Sequence, residues 1–170
     1  MFWPMWTDEK EKRGKTVLTE AEKTEIMIEI GQSHSGQAAC LEALKIVQKY
    51  RRWVSDEAIE ELAPLVGMTP GELDGVATFF PFIFRRPVGR HVIFLCDTVS
   101  CWIMGYEPLL VHLTNRLRIA MGQTTADGRF TLLPVSCLGA CDRAPAMMVD
   151  LDLHGDLTVE KIDRILDGYR

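Results

Sequence analysis

Four cysteines stand in two close pairs, Cys96 and Cys101 in CDTVSC, Cys137 and Cys141 in CLGAC. The spacings are Cys-x4-Cys and Cys-x3-Cys, and the stretch between the pairs is patterned as a helix followed by a strand. Thiolates bind soft and borderline metals strongly and hold iron through both of its oxidation states. A [2Fe–2S] cluster has two irons, each completed by two thiolates, so two separate pairs are what it needs. Zinc also takes four cysteines, although structural zinc sites commonly use tighter Cys-x2-Cys knuckles around one tetrahedral ion. Spacing alone leaves both metals open, with iron–sulfur the leading reading. A dithiol oxidoreductase would want Cys-x-x-Cys, and the chain has no such pair.

Other candidate chemistry is thin. His34, His91, His112 and His154 are scattered with no His-x-x-x-His pair, and no Gly-x-Gly-x-x-Gly or Gly-Lys-Ser/Thr phosphate loop occurs. Asp56, Glu57, Glu60 and Glu61 gather at a helix start, where carboxylates complement the macrodipole. Cys40, the fifth cysteine, falls on the apolar stripe of a helix and reads as a small core residue. Gly139 and Ala140 between the second pair are small enough to let backbone N–H groups approach sulfur, which tunes a cluster's potential. Arg143 would favour the reduced, more negative state if it pointed inward; its ordinary reading is an exposed charge.

The elements that must position the cysteines follow from periodicity and caps. Residues 1–17 read as a flexible tail, with an aromatic start (Trp3, Trp6) suited to anchoring on a partner and then a charge run. Residues 18–86 read as a bundle of four helices. Thr19 and Glu22 form a capping box before a helix with Ile26, Met27 and Ile30 on one side. A second helix runs from about Gln37 to Arg51 with Cys40, Leu41, Leu44 and Val47 as its stripe. Ser55 caps a third that stops near Pro64 and Gly67; Thr69, Pro70 and Glu72 open a fourth.

From residue 87 onward the pattern changes. His91 to Leu95 is a continuous apolar run, as in a strand buried on both faces, and Cys96 sits at its end. A helix is expected from about Tyr106 to Met121, and strands over Phe130 to Val135 and Ala146 to Leu151, with Pro134 marking an edge or a strand end. His154-Gly155 reads as a turn before a final amphipathic helix carrying Val159, Ile162, Ile165 and Leu166. The order β-α-β-β-α fits a thioredoxin-like α/β layer, so the fold class is α+β: a helical bundle followed by a thioredoxin-like domain over residues 87–170.

Composition narrows the function classes. The net charge of -5 gives no support for nucleic-acid binding, which leaves a basic footprint. Five cysteines are too few and too odd in number for a secreted disulfide framework. No apolar run approaches the ~20 residues of a membrane helix, and no signal-peptide pattern opens the chain. A cytoplasmic protein is expected, meeting a membrane only through a partner.

The residues also carry a resemblance. EALKIVQKYRRWVSDEAI, GVATFF, PVGRHVIFLCDTVSC, GQTTADGRFTLLPVSCLGACDRAP and MMVD together resemble the family of small [2Fe–2S] subunits (the E subunits) of bacterial NADH-quinone oxidoreductase, respiratory complex I. The resemblance spans roughly Glu42 to the C-terminus, with the preceding helix similar too. It implies a [2Fe–2S] cluster held by Cys96, Cys101, Cys137 and Cys141. It also implies docking on a flavoprotein subunit that holds FMN, the NADH site and a [4Fe–4S] cluster, among the other peripheral-arm subunits at the cytoplasmic face of the inner membrane. The chain would then be an electron-transfer subunit of an oxidoreductase, inactive toward NADH by itself. NAD-linked hydrogenases and formate dehydrogenases share the pattern. Phe80, where many relatives have tyrosine, removes a hydroxyl but no ligand.

Overall fold

A computed structural model describes residues 18–169, so the expectations for the tail and for Trp3 and Trp6 lie outside the described residues. The chain divides after Arg86 into two units, each with its own core.

The first unit consists of α1 (Glu20–Gln32), α2 (Cys40–Arg51), α3 (Asp56–Leu65) and α4 (Pro70–Phe79). Its caps are those legible in the sequence. Thr19 and Glu22 close one capping box, Thr69 and Glu72 another, and Ser55 accepts from the N–H of Ala58. Each satisfies a donor that the first helical turn leaves unpaired. Ile26, Leu44, Val47, Ile59, Leu62 and Leu73 form the centre of the core. Met27, expected on the buried side of α1, is exposed, while the Glu22 carboxylate is buried. A single apolar residue beside Ile26 did not fix which side of α1 turns inward. Cys40 and Leu41 are only partly buried against this core.

The second unit is built on a four-stranded sheet in the order β2-β1-β3-β4, from β1 (His91–Cys96), β2 (Phe130–Val135), β3 (Met147–Val149) and β4 (Asp152–His154). β1 and β2 are parallel, in register from His91↔Phe130 to Cys96↔Val135. A parallel pair requires a crossover, and α5 (Val99–Ile103) and α6 (Tyr106–Leu117) supply it. β1 lies inside the sheet and is buried along nearly all its length, whereas Pro134 falls on the edge strand β2, where a missing N–H is tolerated. Ile93, Leu95, Phe130, Leu132, Met147 and Val149 cluster with Leu109 and Leu113 of α6 and Ile162 and Leu166 of α7 (Val159–Gly168).

Four details depart from the sequence reading, two of them small: α5 is an additional helix, and His154, expected in a turn, closes β4. The expected strand from Ala146 to Leu151 is a hairpin: β3 ends at Val149, the chain turns at Asp150 and Leu151, and β4 pairs back antiparallel. α6 ends at Leu117 rather than near Met121, because Arg118 adopts a left-handed conformation with φ 56° and stops the helix.

Candidate metal centre

Because β1 and β2 are parallel, both run toward the same edge of the unit, and each delivers a cysteine loop there. Cys96 is the last residue of β1; Cys137 follows the end of β2 by two residues. Cys101 lies within α5, and Cys141 opens a short 3-10 turn, Cys141–Arg143. The ladder therefore fixes where each loop begins, which is how a rigid sheet positions functional loops. Gly155 permits close packing behind the second loop, since a Cβ there would stand 2.6 Å from Arg143 Cβ and 2.8 Å from its carbonyl oxygen. The N–H of Asp156 donates to that same oxygen over 2.6 Å, and Leu157 N–H donates to Pro145 O over 3.1 Å. The Ala144-Pro145 peptide between them is cis.

The four sulfurs come as two pairs of different character. Cys96 and Cys101 are buried and hydrogen-bonded to each other; Cys137 and Cys141 are exposed, with Sγ atoms 3.4 Å apart. The pairs face one another. Leu138 N–H, from the second loop, donates to Cys96, and Ala146 N–H donates to Cys101. In the other direction, the Ser100 hydroxyl of the first loop hydrogen-bonds Cys141. Within the second loop Gly139, at φ 75°, turns its N–H onto Cys137 Sγ at 3.3 Å. That left-handed conformation is the one glycine adopts without strain.

The electrostatics reflect this setting. Burial pushes the Cys96 thiol up, but the hydroxyl and N–H of Thr98, the Leu138 N–H and the Cys101 thiol outweigh it and leave Cys96 below the ordinary range. Cys101 is pushed up to about 11 by burial, by its hydrogen bond to Cys96, and by the negative charge that would develop on Cys96 and Cys141. Cys141 is raised chiefly by Cys137, against the pull of Ser100. Cys96 thus gives up its proton more easily than an ordinary thiol, and Cys101 and Cys141 less easily. Adding further negative charge here needs a cation to offset it, as metal binding does when it displaces thiol protons.

Among the described residues, no three His, Cys, Asp or Glu side chains form a group able to hold a metal ion. The cysteines instead stand as opposed pairs with N–H donors aimed at sulfur. An all-thiolate donor set of this kind fits a two-iron group, one pair to each iron. Arg143 is exposed, which is its ordinary reading. Thr98 and Ser100 are contributors that sequence reasoning passed over, although two hydroxyls within CDTVSC were a usable signal. A separate cleft of about 300 Å³, lined by Arg116, Arg118, Asp127 and Arg129, includes Phe130 at the opposite end of β2 from Cys137. Arg116 is paired there with Asp163 and Asp167.

Comparison with known proteins agrees with this geometry. The profile of thioredoxin-like [2Fe–2S] ferredoxins matches residues 25–170. The E subunit of NADH-quinone oxidoreductase from Pseudomonas aeruginosa is 49% identical over 153 residues, covering 90% of this chain and 92% of its own length. Its counterpart from Escherichia coli K12 is 50% identical over the same coverage. Among solved structures, an NAD+-reducing [NiFe]-hydrogenase in the air-oxidized state aligns with a TM-score of 0.64 and 30% identity. That alignment covers 76% of this chain but only 22% of the hydrogenase chain. The chain belongs to the thioredoxin-like [2Fe–2S] ferredoxin family and, within it, to the family of NADH-quinone oxidoreductase E subunits.

Proposed function

We propose that this chain is the electron-transfer subunit of the NADH dehydrogenase module of respiratory complex I. In this reading it holds one [2Fe–2S] cluster through Cys96, Cys101, Cys137 and Cys141 and exchanges electrons with the FMN of a partner flavoprotein. The observation that carries the reading is the pair of opposed cysteine pairs at the common end of β1 and β2, with N–H donors crossing between the loops. When bound, such a cluster supplies a one-electron carrier. The residues of this chain do the rest: the two loops hold the thiolates in place, the N–H groups of Leu138, Gly139 and Ala146 favour added negative charge, and burial of Cys96 and Cys101 keeps water from half of the site.

NADH oxidation belongs to the partner, with its FMN and [4Fe–4S] cluster, and the isolated chain does not perform it. The docking side is marked by apolar residues beside the site. Val99, Trp102, Ile103 and Met104, in and just after α5, are each between 57% and 71% exposed, immediately around Cys101. Exposed apolar groups gathered at one place suit a protein interface, and Trp is enriched at binding hot spots. Among the described residues no helix is long and apolar enough to cross a membrane, which suits attachment through peripheral-arm subunits at the cytoplasmic face. The hydrogenase likeness makes an NAD-linked hydrogenase module the second reading; the relatives that match over nearly their whole length favour the first.

The test is an EPR spectrum of the anaerobically purified, dithionite-reduced chain, with iron and zinc counted on the same sample. About two irons per chain and an S = 1/2 signal are expected. Stoichiometric zinc without iron, or NADH oxidation by the chain alone, would overturn the reading.

A further inference from the structure

Among the described residues, five helices have a threonine or serine at the N-cap position, and four of them use it in the same way. The hydroxyls of Thr19, Ser55, Thr69 and Thr158 accept from the N–H three residues on, that of Glu22, Ala58, Glu72 and Lys161. This is the ordinary work of such a residue, satisfying a donor that the first turn leaves unpaired. The exception is Thr98 at the start of α5. Its backbone has the extended cap conformation, φ -83° and ψ 168°, yet its side chain makes no cap bond. The N–H that it would ordinarily accept belongs to Cys101. Instead, Thr98 Oγ1 lies 3.2 Å from Cys96 Sγ, and the Thr98 N–H is directed at the same sulfur.

The diversion has a direction. A thiolate carries no proton and can only accept, so in that contact the hydroxyl is the donor. A hydroxyl that is not serving a cap is free to rotate its proton toward sulfur. The contact is also sheltered, since Cys96 is buried at the end of β1 and Thr98 is only partly exposed. Hydrogen bonds made away from water count for more than those made in it.

We propose that Thr98 is a positioning residue whose hydroxyl, withdrawn from helix capping, fixes the Cys96 thiolate and raises the reduction potential of the group it ligates. The proposal rests on the [2Fe–2S] reading of the four cysteines. The sign follows from charge. Reduction adds an electron to a centre already negative, and a donor aimed at sulfur stabilises the more negative state, so removing it lowers the potential. Helix capping makes an opposite prediction for stability. If Thr98 does not cap α5 through its side chain, removing its hydroxyl leaves the stability of the unit unchanged, whereas the same change at a working cap weakens it.

The experiment uses the full chain, purified anaerobically, as wild type and as Thr98→Val, Thr98→Ser and Thr158→Val. Each sample is measured for iron content, for midpoint potential by an EPR-monitored redox titration, and for thermal unfolding. Thr98→Val is expected to keep its iron and its unfolding temperature while its potential falls. Thr98→Ser, which keeps the hydroxyl, stays at the wild-type potential. Thr158→Val, removing a cap in the same unit, lowers the unfolding temperature and leaves the potential alone. If Thr98→Val loses its iron while Thr98→Ser retains it, the hydroxyl is holding the thiolate and the proposal stands. A Thr98→Val chain with full iron and the wild-type potential overturns it, as does loss of iron from both Thr98 variants. Absence of iron from the wild type would instead overturn the cluster reading itself, before any variant is compared.

Discussion

Each unit of this chain buries groups prone to carry negative charge, and the two units treat them oppositely. In the helical unit the Glu22 carboxylate is 1% exposed and fully engaged. It accepts from Arg51 Nε at 2.6 Å and Arg51 Nη2 at 2.8 Å, and from the N–H and hydroxyl of Thr19 at 2.6 and 2.8 Å. In the sheet unit Cys96 and Cys101 are equally hidden, but what surrounds them is neutral: backbone N–H groups, the Thr98 hydroxyl and each other's thiol, with no fixed cation among the described residues in the place that Arg51 takes at Glu22. A buried charge closed on a fixed partner is scaffold. A buried thiol pair with no fixed cation, beside a second exposed pair, is where the proposed metal group would supply the missing positive charge. The contrast locates chemistry in one unit and support in the other.

The largest effects should separate the units by what is lost. Replacing any of Cys96, Cys101, Cys137 or Cys141 by Ser should abolish or visibly alter the reduced EPR signal, while Cys40→Ser, outside the site, leaves it intact. Loss of the signal in Cys40→Ser alone would break the assignment. Next in size, Glu22→Gln leaves the partly buried Arg51 guanidinium against a neutral amide and should cost the helical unit about 2 kcal/mol. Urea unfolding monitored by helical circular dichroism would show it, and a change under about 1 kcal/mol would mean that the pair is not the closed lock described.

That same carboxylate predicts a pH dependence. Burial pushes the Glu22 carboxyl up, but the Arg51 and Thr19 bonds prevail and hold it below its ordinary value of 4.5. Its stabilisation is therefore intact above pH 4.5 and disappears as pH falls through the lower folded value. Loss of helical-unit stability already between pH 7 and 5 would point to another group. The smallest expected effect is at Arg143: the side chain is exposed, so Arg143→Gln should leave the cluster potential nearly unchanged. A clear drop would mean that the guanidinium turns inward when the site is loaded.

How much of this was legible depended on how local the signal was. The caps at Thr19, Ser55 and Thr69 are each completed within three residues, so their sequence patterns carried over directly. The central position of β1 and the edge position of Pro134 were likewise readable from an unbroken apolar run and a missing donor. The β3–β4 hairpin was not. Its turn is made by Asp150 at φ 55° and by Leu151, which is 90% exposed, so the aspartate lacks the following glycine that completes the usual hairpin signal and an apolar leucine stands in its place. The cysteines were legible as pairs, but the donors reaching them from Leu138 and Ala146 are backbone groups, and only the folded loops reveal them. Thr98 was masked for a third reason: a threonine before a helix signals a cap, and that reading competes with the hint given by a hydroxyl placed between two cysteines.

The parallel ladder between β1 and β2 also sets what changes of length this chain can absorb. One residue added between Phe130 and Val135 would carry Cys137 onward by roughly 3.3 Å and turn every following side chain to the opposite face. The turn at 125–128, by contrast, lies outside the ladder and could lengthen without moving either cysteine loop. Insertions and deletions should therefore be tolerated at the end of the sheet remote from the cysteines and ruinous within the strands, even beside the exposed Pro134.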